Sequence, residues 1–365
     1  MNSQYNPIVL EGAGSISELN LRKGDIVNMS MAEYADAEVI LVADIDRGGV
    51  FASVYGSVML QSMEDRKRIK GVIINKFRGD LKLFAEGKKI IEDICGIPVL
   101  GVVPMAIHFH IDEEDSVTLS LKNKLAGSKM INIAVVLLKH ISNFTDFNIL
   151  ERYQGVNLFY AKDPADLKDA DIVIIPGSKN TISDMLYLRK KGFAQAILNA
   201  REMGKTIMGI CGGYQMMGEW ISDPDSIEGD VKEITGLGLL PVKTVLSSEK
   251  KTRQVKFHFL DFPEVCEGYE IHMGMTDSPR PVVTFDDGKT DGCIVDNKCF
   301  GTYIHGILDN LSVVKYLLEP YINTCSEITE PDWKSYKQKQ YDLLADFLRL
   351  HLDIERIYKI AGRDD

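Results

Sequence analysis

An α/β protein of two parallel-sheet domains is the fold class this sequence predicts. Three observations predict it. Short apolar runs alternate with amphipathic stretches through both halves, the polar stretch Leu121 to Lys129 separates the halves, and the second half turns strand-rich between Gly236 and Ile304. With 365 residues the chain can bury two separate cores.

In the first half the strand candidates are Ile8 to Leu10, Val39 to Ala43, Gly71 to Asn75 and Val99 to Val103. The helical stretches between them imply crossovers, and hence parallel strands. The second half repeats the logic with Asn132 to Leu138, Asp171 to Ile175 and Thr206 to Ile210. Near the end, Tyr341, Leu344, Ala345, Leu348 and Leu352 follow the i, i+3, i+4, i+7 stripe of an amphipathic helix that packs on the body. These elements divide the chain into a first domain at 1–122, a linker at 123–130, a second domain at 131–320 and a C-terminal helical segment at 321–365.

Composition narrows the partners. A formal net charge of −11, with no long Lys/Arg run, argues against nucleic acid, and Lys250-Lys251 reads as a solvated turn. Met1 to Pro7 is polar and no apolar run approaches the roughly 18 residues of a membrane span, so no membrane partner is expected and the chain reads as cytoplasmic. The six cysteines, Cys95, Cys211, Cys266, Cys293, Cys299 and Cys325, include no Cys-x-x-Cys pair. That pattern suggests neither a zinc site nor a disulfide framework and suits a reducing compartment.

Gly209-Ile210-Cys211-Gly212-Gly213 follows the apolar run Lys205 to Met208 and reads as a nucleophile elbow. A sharp strand-to-helix turn strains the backbone and crowds its neighbours, so glycines flank the cysteine. The turn aims the Gly212 amide at a reacting carbonyl, and a helix from Tyr214 to Trp220 adds the positive end of its dipole beside the sulfur. A small buried cysteine in a glycine-rich turn would show the same five residues, so other segments must decide. Asp171 to Thr181 is a buried-strand pattern that breaks into a Pro-Gly loop rich in backbone donors, suited to complete an oxyanion hole. Gly301-Thr302-Tyr303-Ile304-His305-Gly306 delivers a candidate general base, although a lone histidine after a strand is more often structural.

Together these segments resemble the class I glutamine amidotransferases. The resemblance implies a flavodoxin-like domain in which Cys211 attacks the side-chain amide of glutamine, forms a thioester and releases ammonia. It implies His305 as the base and Gly177 and Gly212 as the oxyanion donors. Many members carry a glutamate two residues after the histidine, where this chain has Ile307. Asp309 is out of phase for that role, which leaves the third triad member open. The cobalamin-pathway branch of the family is similar in lacking that glutamate.

In the first half, Glu11-Gly12-Ala13-Gly14-Ser15 sets a carboxylate beside an open loop, either a place for Mg²⁺ near a nucleotide or a tight turn. Asp44-Ile45-Asp46-Arg47-Gly48-Gly49 repeats the arrangement with residues suited to metal and phosphate chemistry. With Ile74 to Asp80, Gly96 to Pro104, Glu113 to Val117, Ile141 to Phe147 and Gly268 to Gly274, these segments resemble the cobyric acid synthase family. The resemblance runs from near Ile8 to Ile360 and implies a P-loop-NTPase-like, dethiobiotin-synthetase-like domain, here incomplete, ahead of the amidotransferase. It implies ATP and Mg²⁺ as cofactors, Glu11 as a Mg²⁺ ligand, Asp44 and Asp46 at the phosphate and carboxylate site, and Asn75 near the base. Asn143, Asp146, Tyr269, Glu270 and His272 are implied to face the corrinoid or the ammonia path.

The activity implied is glutamine-dependent amidation of peripheral carboxylates of adenosylcobyrinic acid a,c-diamide, giving adenosylcobyric acid. The alternatives are the sister enzyme that makes the a,c-diamide, a glutaminase-only chain and a non-catalytic remnant. One departure bears on them: no Gly-x-x-x-x-Gly-Lys-[Ser/Thr] occurs, and Gly204-Lys205-Thr206 has Asn199 where the first glycine belongs. The expectation is a family member without its N-terminal quarter, whether a fragment, a mis-called start or half of a split gene. ATP-driven ligation by this chain alone should then fail, and self-association or a separate P-loop-bearing chain becomes a possible partner.

Overall fold

A computed structural model describes residues 7–106, 109, 130–324 and 333–362; the Glu113 to Val117 motif and the Leu121 to Lys129 stretch lie outside them. The chain forms two compact units, one of Met1–Ile111 with Lys337–Asp365 and one of Asp112–Tyr336.

The first unit is built on β1 (Val39–Asp44), β2 (Ile69–Phe77) and β3 (Val99–Pro104), a parallel sheet in the order β1-β2-β3. Crossovers are supplied by α2 (Val50–Met59), with α3 (Met63–Arg68) following it, and by α4 (Ala85–Cys95); α1 (Met29–Tyr34) precedes β1. Val54, Val58, Val72, Ile74 and Ile91 form the centre of its core. The register pairs Asp44 with Asn75, so the charged ends of β1 and β2 emerge side by side. Ile8 to Leu10 departs from the expected strand: the run is irregular and exposed, with Val9 at 87%. Three apolar residues without a ladder partner gain too little from pairing to offset the ordering of their backbone. The expected C-terminal helix spans Trp333–His351, with Leu344, Ala345 and Leu348 half-buried and Tyr341 exposed. Its end lies against β3, where Leu352 bridges Gly101 and the Asp353 amide donates to the Leu100 carbonyl at 2.7 Å. Gly101 permits that approach, because a Cβ there would stand 2.3 Å from the His351 carbonyl oxygen.

In the second unit, β4 (Ile131–Val136), β6 (Val156–Ala161), β7 (Ile172–Ile175), β9 (Thr206–Ile210), β16 (Cys293–Asp296) and β17 (Cys299–Thr302) form a sheet in the order β16-β17-β9-β7-β4-β6, parallel except for β16. Every residue of β4, β6, β7 and β9 is buried, the continuous apolar run of strands covered on both faces. The helices of this unit are α5 (Thr181–Lys191), α6 (Phe193–Glu202), α7 (Gly212–Met217) and α8 (Leu311–Leu318). A second, largely antiparallel sheet contains β10 (Trp220–Ser222), β11 (Glu233–Thr235), β12 (Lys243–Phe259), β13 (Val265–Asp277), β14 (Val283–Phe285), β15 (Thr290–Asp291) and β18 (Ile304–His305). A two-stranded ladder joins β5 (Ile141–Ser142) to β8 (Gly177–Ser178).

Two local expectations change. The helix after Cys211 ends at Met217 rather than Trp220, because Gly218 breaks it and Trp220 is taken into β10. Lys250 and Lys251 sit exposed within β12 rather than in a turn, at a register irregularity between Leu246 and Lys251.

Candidate active site

The elbow is formed by register. β17 runs parallel to β9 with Thr302 beside Ile210, and the Cys211 amide donates to the Thr302 carbonyl at 2.8 Å. Cys211 then turns with φ of 52°, a left-handed value that a non-glycine residue adopts only where its surroundings enforce it. The enforcement is visible at Gly213, where a Cβ would lie 1.9 Å from the Ile175 carbonyl oxygen. Only glycine lets α7 start that close to β7. The Cys211 thiol donates to the Ile271 carbonyl of β13 at 3.7 Å.

His305 arrives from the other side. β18 pairs with β13, His305 opposite Tyr269, and the two rings stack at 5.3 Å and 21°. Its Nδ1 donates to Asp146 Oδ2 at 2.7 Å, and the Gly306 amide donates to Asp146 Oδ1 at 2.9 Å. Both side chains are buried. Burial works to lower the proton affinity of His305, but the charge and hydrogen bond of Asp146, and then Cys211, overcome it and push its pKa up to about 10. Asp146 thus fixes His305, and Cys211 lies near enough to raise the proton affinity of the same ring, so thiol, imidazole and carboxylate are gathered at the elbow.

This relocates Asp146, expected to face the substrate. It stands behind the histidine, in the position that the missing glutamate leaves open. The signal was present in its flanks, since an acid between Phe144 and Phe147 in a buried stretch needs a fixed partner. Asn143, at φ 51°, donates from Nδ2 to the Tyr269 hydroxyl at 2.7 Å and so braces the ring that covers His305. Burial, then the nearby Asp146 charge, push the Tyr269 phenol up to about 12.

Glu270 and His272, also expected to face the substrate, are buried in a network of their own. His272 Nδ1 donates to the Gly274 carbonyl at 2.8 Å, Nε2 lies 3.3 Å from Glu270 Oε1, and Arg253 pairs with the other carboxylate oxygen. Burial opposes the Glu270 charge, yet His272 and Arg253 prevail and hold its carboxyl below the usual range. The His272 ring stacks on Tyr303 at 3.9 Å, and Tyr303 Oη accepts from Gln215 of α7 at 3.1 Å. The network therefore ties β13 to the helix that follows Cys211; sequence offered no signal for it.

Gly177 and Gly212 come together beside this chain. A Cβ on Gly177 would meet His305 Cε1 at 3.1 Å, and one on Gly212 would meet the Ser178 amide nitrogen at 2.8 Å. The loop after β7 passes between the histidine and the start of α7.

In the first unit, Asp44 pairs with Lys76 at 2.9 Å and Arg47 at 3.8 Å, and Asp46 pairs with Arg78 at 2.6 Å. The Lys76 hydrogen bond holds the Asp44 carboxyl below its usual range, and Arg78 does the same for Asp46. Asn75 Oδ1 accepts from the Lys76 amide at 2.8 Å. Glu11 lies on an exposed irregular segment. Among the described residues no three His, Cys, Asp or Glu groups converge on a metal position. Among the same residues no helix is long and apolar enough to cross a membrane.

Comparison with known proteins adds to this geometry. The profile of the CobB/CobQ-like glutamine amidotransferase domain matches residues 132–313, and that of an AAA domain matches residues 1–109. The chain is 58% identical to a cobyric acid synthase of Phocaeicola vulgatus and 57% identical to one of Bacteroides fragilis; each match covers 100% of this chain and 74% of the relative. A cobyric acid synthase of Clostridium perfringens is 46% identical, over 97% of this chain and 73% of the relative.

Proposed function

The chain belongs to the cobyric acid synthase family, ligases with a glutamine amidotransferase domain, and on that premise we propose that Cys211 supplies ammonia for amidating adenosylcobyrinic acid a,c-diamide to adenosylcobyric acid. The observation that carries the donor half of this reading is the run from Cys211 through His305 to Asp146 across the elbow. The Cys211 sulfur attacks the side-chain carbonyl carbon of glutamine, and the oxygen takes up negative charge toward the Gly177 and Gly212 amides. His305 passes a proton to the departing nitrogen, so ammonia leaves and a thioester remains. Water, deprotonated by the same imidazole, cleaves the thioester to glutamate and frees the thiol.

ATP, whose use the AAA-domain match supports, supplies the phosphoryl group that activates a substrate carboxylate as an acyl phosphate. Ammonia displaces phosphate from it to form the amide. Within this chain, the charged ends of β1 and β2, with Asp44, Asp46 and Asn75, are the residues we assign to that half.

In the enzyme supplied with a P-loop-bearing segment, which ATP-driven ligation requires, replacing Cys211 by alanine tests the donor role: glutamine-dependent amidation should vanish while amidation with free ammonia persists, because only the first uses the thiol. Equal loss with both donors would sink the assignment. Diazo-oxonorleucine should label wild-type Cys211 selectively, which a non-catalytic remnant would not show. Offering cobyrinic acid beside its a,c-diamide distinguishes the sister activity, since consumption of the unamidated acid would favour it. Ammonia release without amidation of either corrinoid would indicate a chain active as a glutaminase alone.

A further inference from the structure

We propose that Asp184 is a positioning residue for the oxyanion loop, an inference that rests on the reading of Cys211 as the nucleophile toward glutamine. Asp184 lies in the first turn of α5 and is 0% exposed. Its carboxylate accepts from the Ser178 hydroxyl at 2.7 Å, from His140 Nδ1 at 3.0 Å and from the His140 amide at 3.3 Å.

These partners are not arbitrary. Ser178 follows Gly177 in β8, and His140 precedes β5, so one carboxylate grips both strands of the two-stranded ladder. The Lys179 amide donates to the His140 carbonyl at 2.8 Å, which closes the same end. A ladder of two residues per strand has too few hydrogen bonds to hold its own position, and an anchor outside it must supply the rest. A fully buried carboxylate is costly unless its hydrogen bonds are met, so its presence there needs those donors as much as they need it.

What the clamp holds is the backbone that passes between the catalytic groups. Ser142 pairs with Gly177, and a Cβ on Gly177 would stand 2.8 Å from Ser142 Oγ and 3.1 Å from His305 Cε1. On the far side the Ser178 amide lies against Gly212 with no room for a Cβ. Releasing Ser178 would let this segment shift relative to Cys211. Acyl chemistry, which needs amides placed at the developing oxyanion, would feel that shift; attack of the sulfur on a saturated carbon would not.

The test compares two reactions of Cys211 in the full chain, glutamine hydrolysis and alkylation by iodoacetamide, for wild type, Asp184→Asn and Ser178→Ala. Asp184→Asn should lower kcat for hydrolysis about 10- to 100-fold, with KM changed less than about threefold and the alkylation rate less than about twofold. Ser178→Ala removes only the hydroxyl and should lower kcat about 3- to 10-fold with alkylation again unchanged, which carries the test if Asp184→Asn does not fold. Undiminished hydrolysis in both variants overturns the proposal. So does a parallel fall of hydrolysis and alkylation, which would make Asp184 a support of the fold at large. A wild type that releases no ammonia from glutamine overturns the underlying reading instead.

Discussion

The two units present their polar residues in opposite ways. In the second, Asp146, His305, Glu270 and His272 are buried and each is fixed by neighbours of set geometry. In the first, Asp44, Asp46, Lys76 and Arg78 meet at the C-terminal ends of β1 and β2, where at least a quarter of each side chain is open to solvent. A buried group holds one protonation state and one position because leaving either is expensive; an exposed ion pair gains little and costs little. The second unit therefore holds its polar groups in a preset geometry, while the charges of the first gain little from their present pairing.

The sharpest way to break this contrast is Asp146→Asn. Triad carboxylates removed in this manner cost about 10²- to 10⁴-fold in kcat, and a fall of that size in glutamine hydrolysis is expected. The pH dependence discriminates further. The Asp146 charge favours the protonated imidazole, so its loss should lower the His305 pKa from about 10 and move the alkaline limb of the activity profile to lower pH. Stability follows with the same sign: a raised histidine pKa contributes fully below the unfolded value of about 6.5 and is lost as pH rises toward about 10, so the variant should lack that dependence. An unmoved alkaline limb would show that Asp146 does not control the histidine.

Gly213→Ala is next in size. The added methyl would stand 1.9 Å from a backbone oxygen of β7, which cannot rotate away, so α7 must shift. Overpacking of this kind costs about 1–3 kcal/mol, readable as a lower denaturation midpoint with slope unchanged. Cys211 should lose its reactivity toward diazo-oxonorleucine with it. A variant as stable and as readily labelled as wild type would mean the elbow is not as tightly set as its contacts indicate.

That glycine also shows what was legible in the sequence. Strand, sharp turn and helix around Cys211 are local, and a run such as Thr206 to Ile210 with glycines after it has few other ways to fold. Long-range pairings left weaker traces. Asp146 reaches His305 across 159 residues, and nothing near either names the other; only the apolar flanks of Asp146 hinted at burial. Asp184 was less visible still, the single acid of a helix whose last turn is basic and exposed, with nothing in its neighbours to name Ser178 or His140 as partners. Ile8 to Leu10 failed in the reverse sense, since β-propensity is realised only when a neighbouring strand accepts the ladder.

The smallest effect should be that of Asp46→Asn, and its smallness is informative. Arg78 lowers the Asp46 carboxyl pKa first by its hydrogen bond, but the two side chains are 65% and 38% exposed, so water and salt screen most of what the pair could contribute. The unfolding midpoint should stay where it is at low and at high salt. If Asp46 belongs to the nucleotide and phosphate region, its substitution should appear instead in the KM for ATP during amidation by the enzyme supplied with a P-loop-bearing segment, a quantity that stability does not govern. A large shift of the midpoint would place Asp46 among the fixed groups, as buried partners are in the second unit, and the contrast between the two units would fail at that residue.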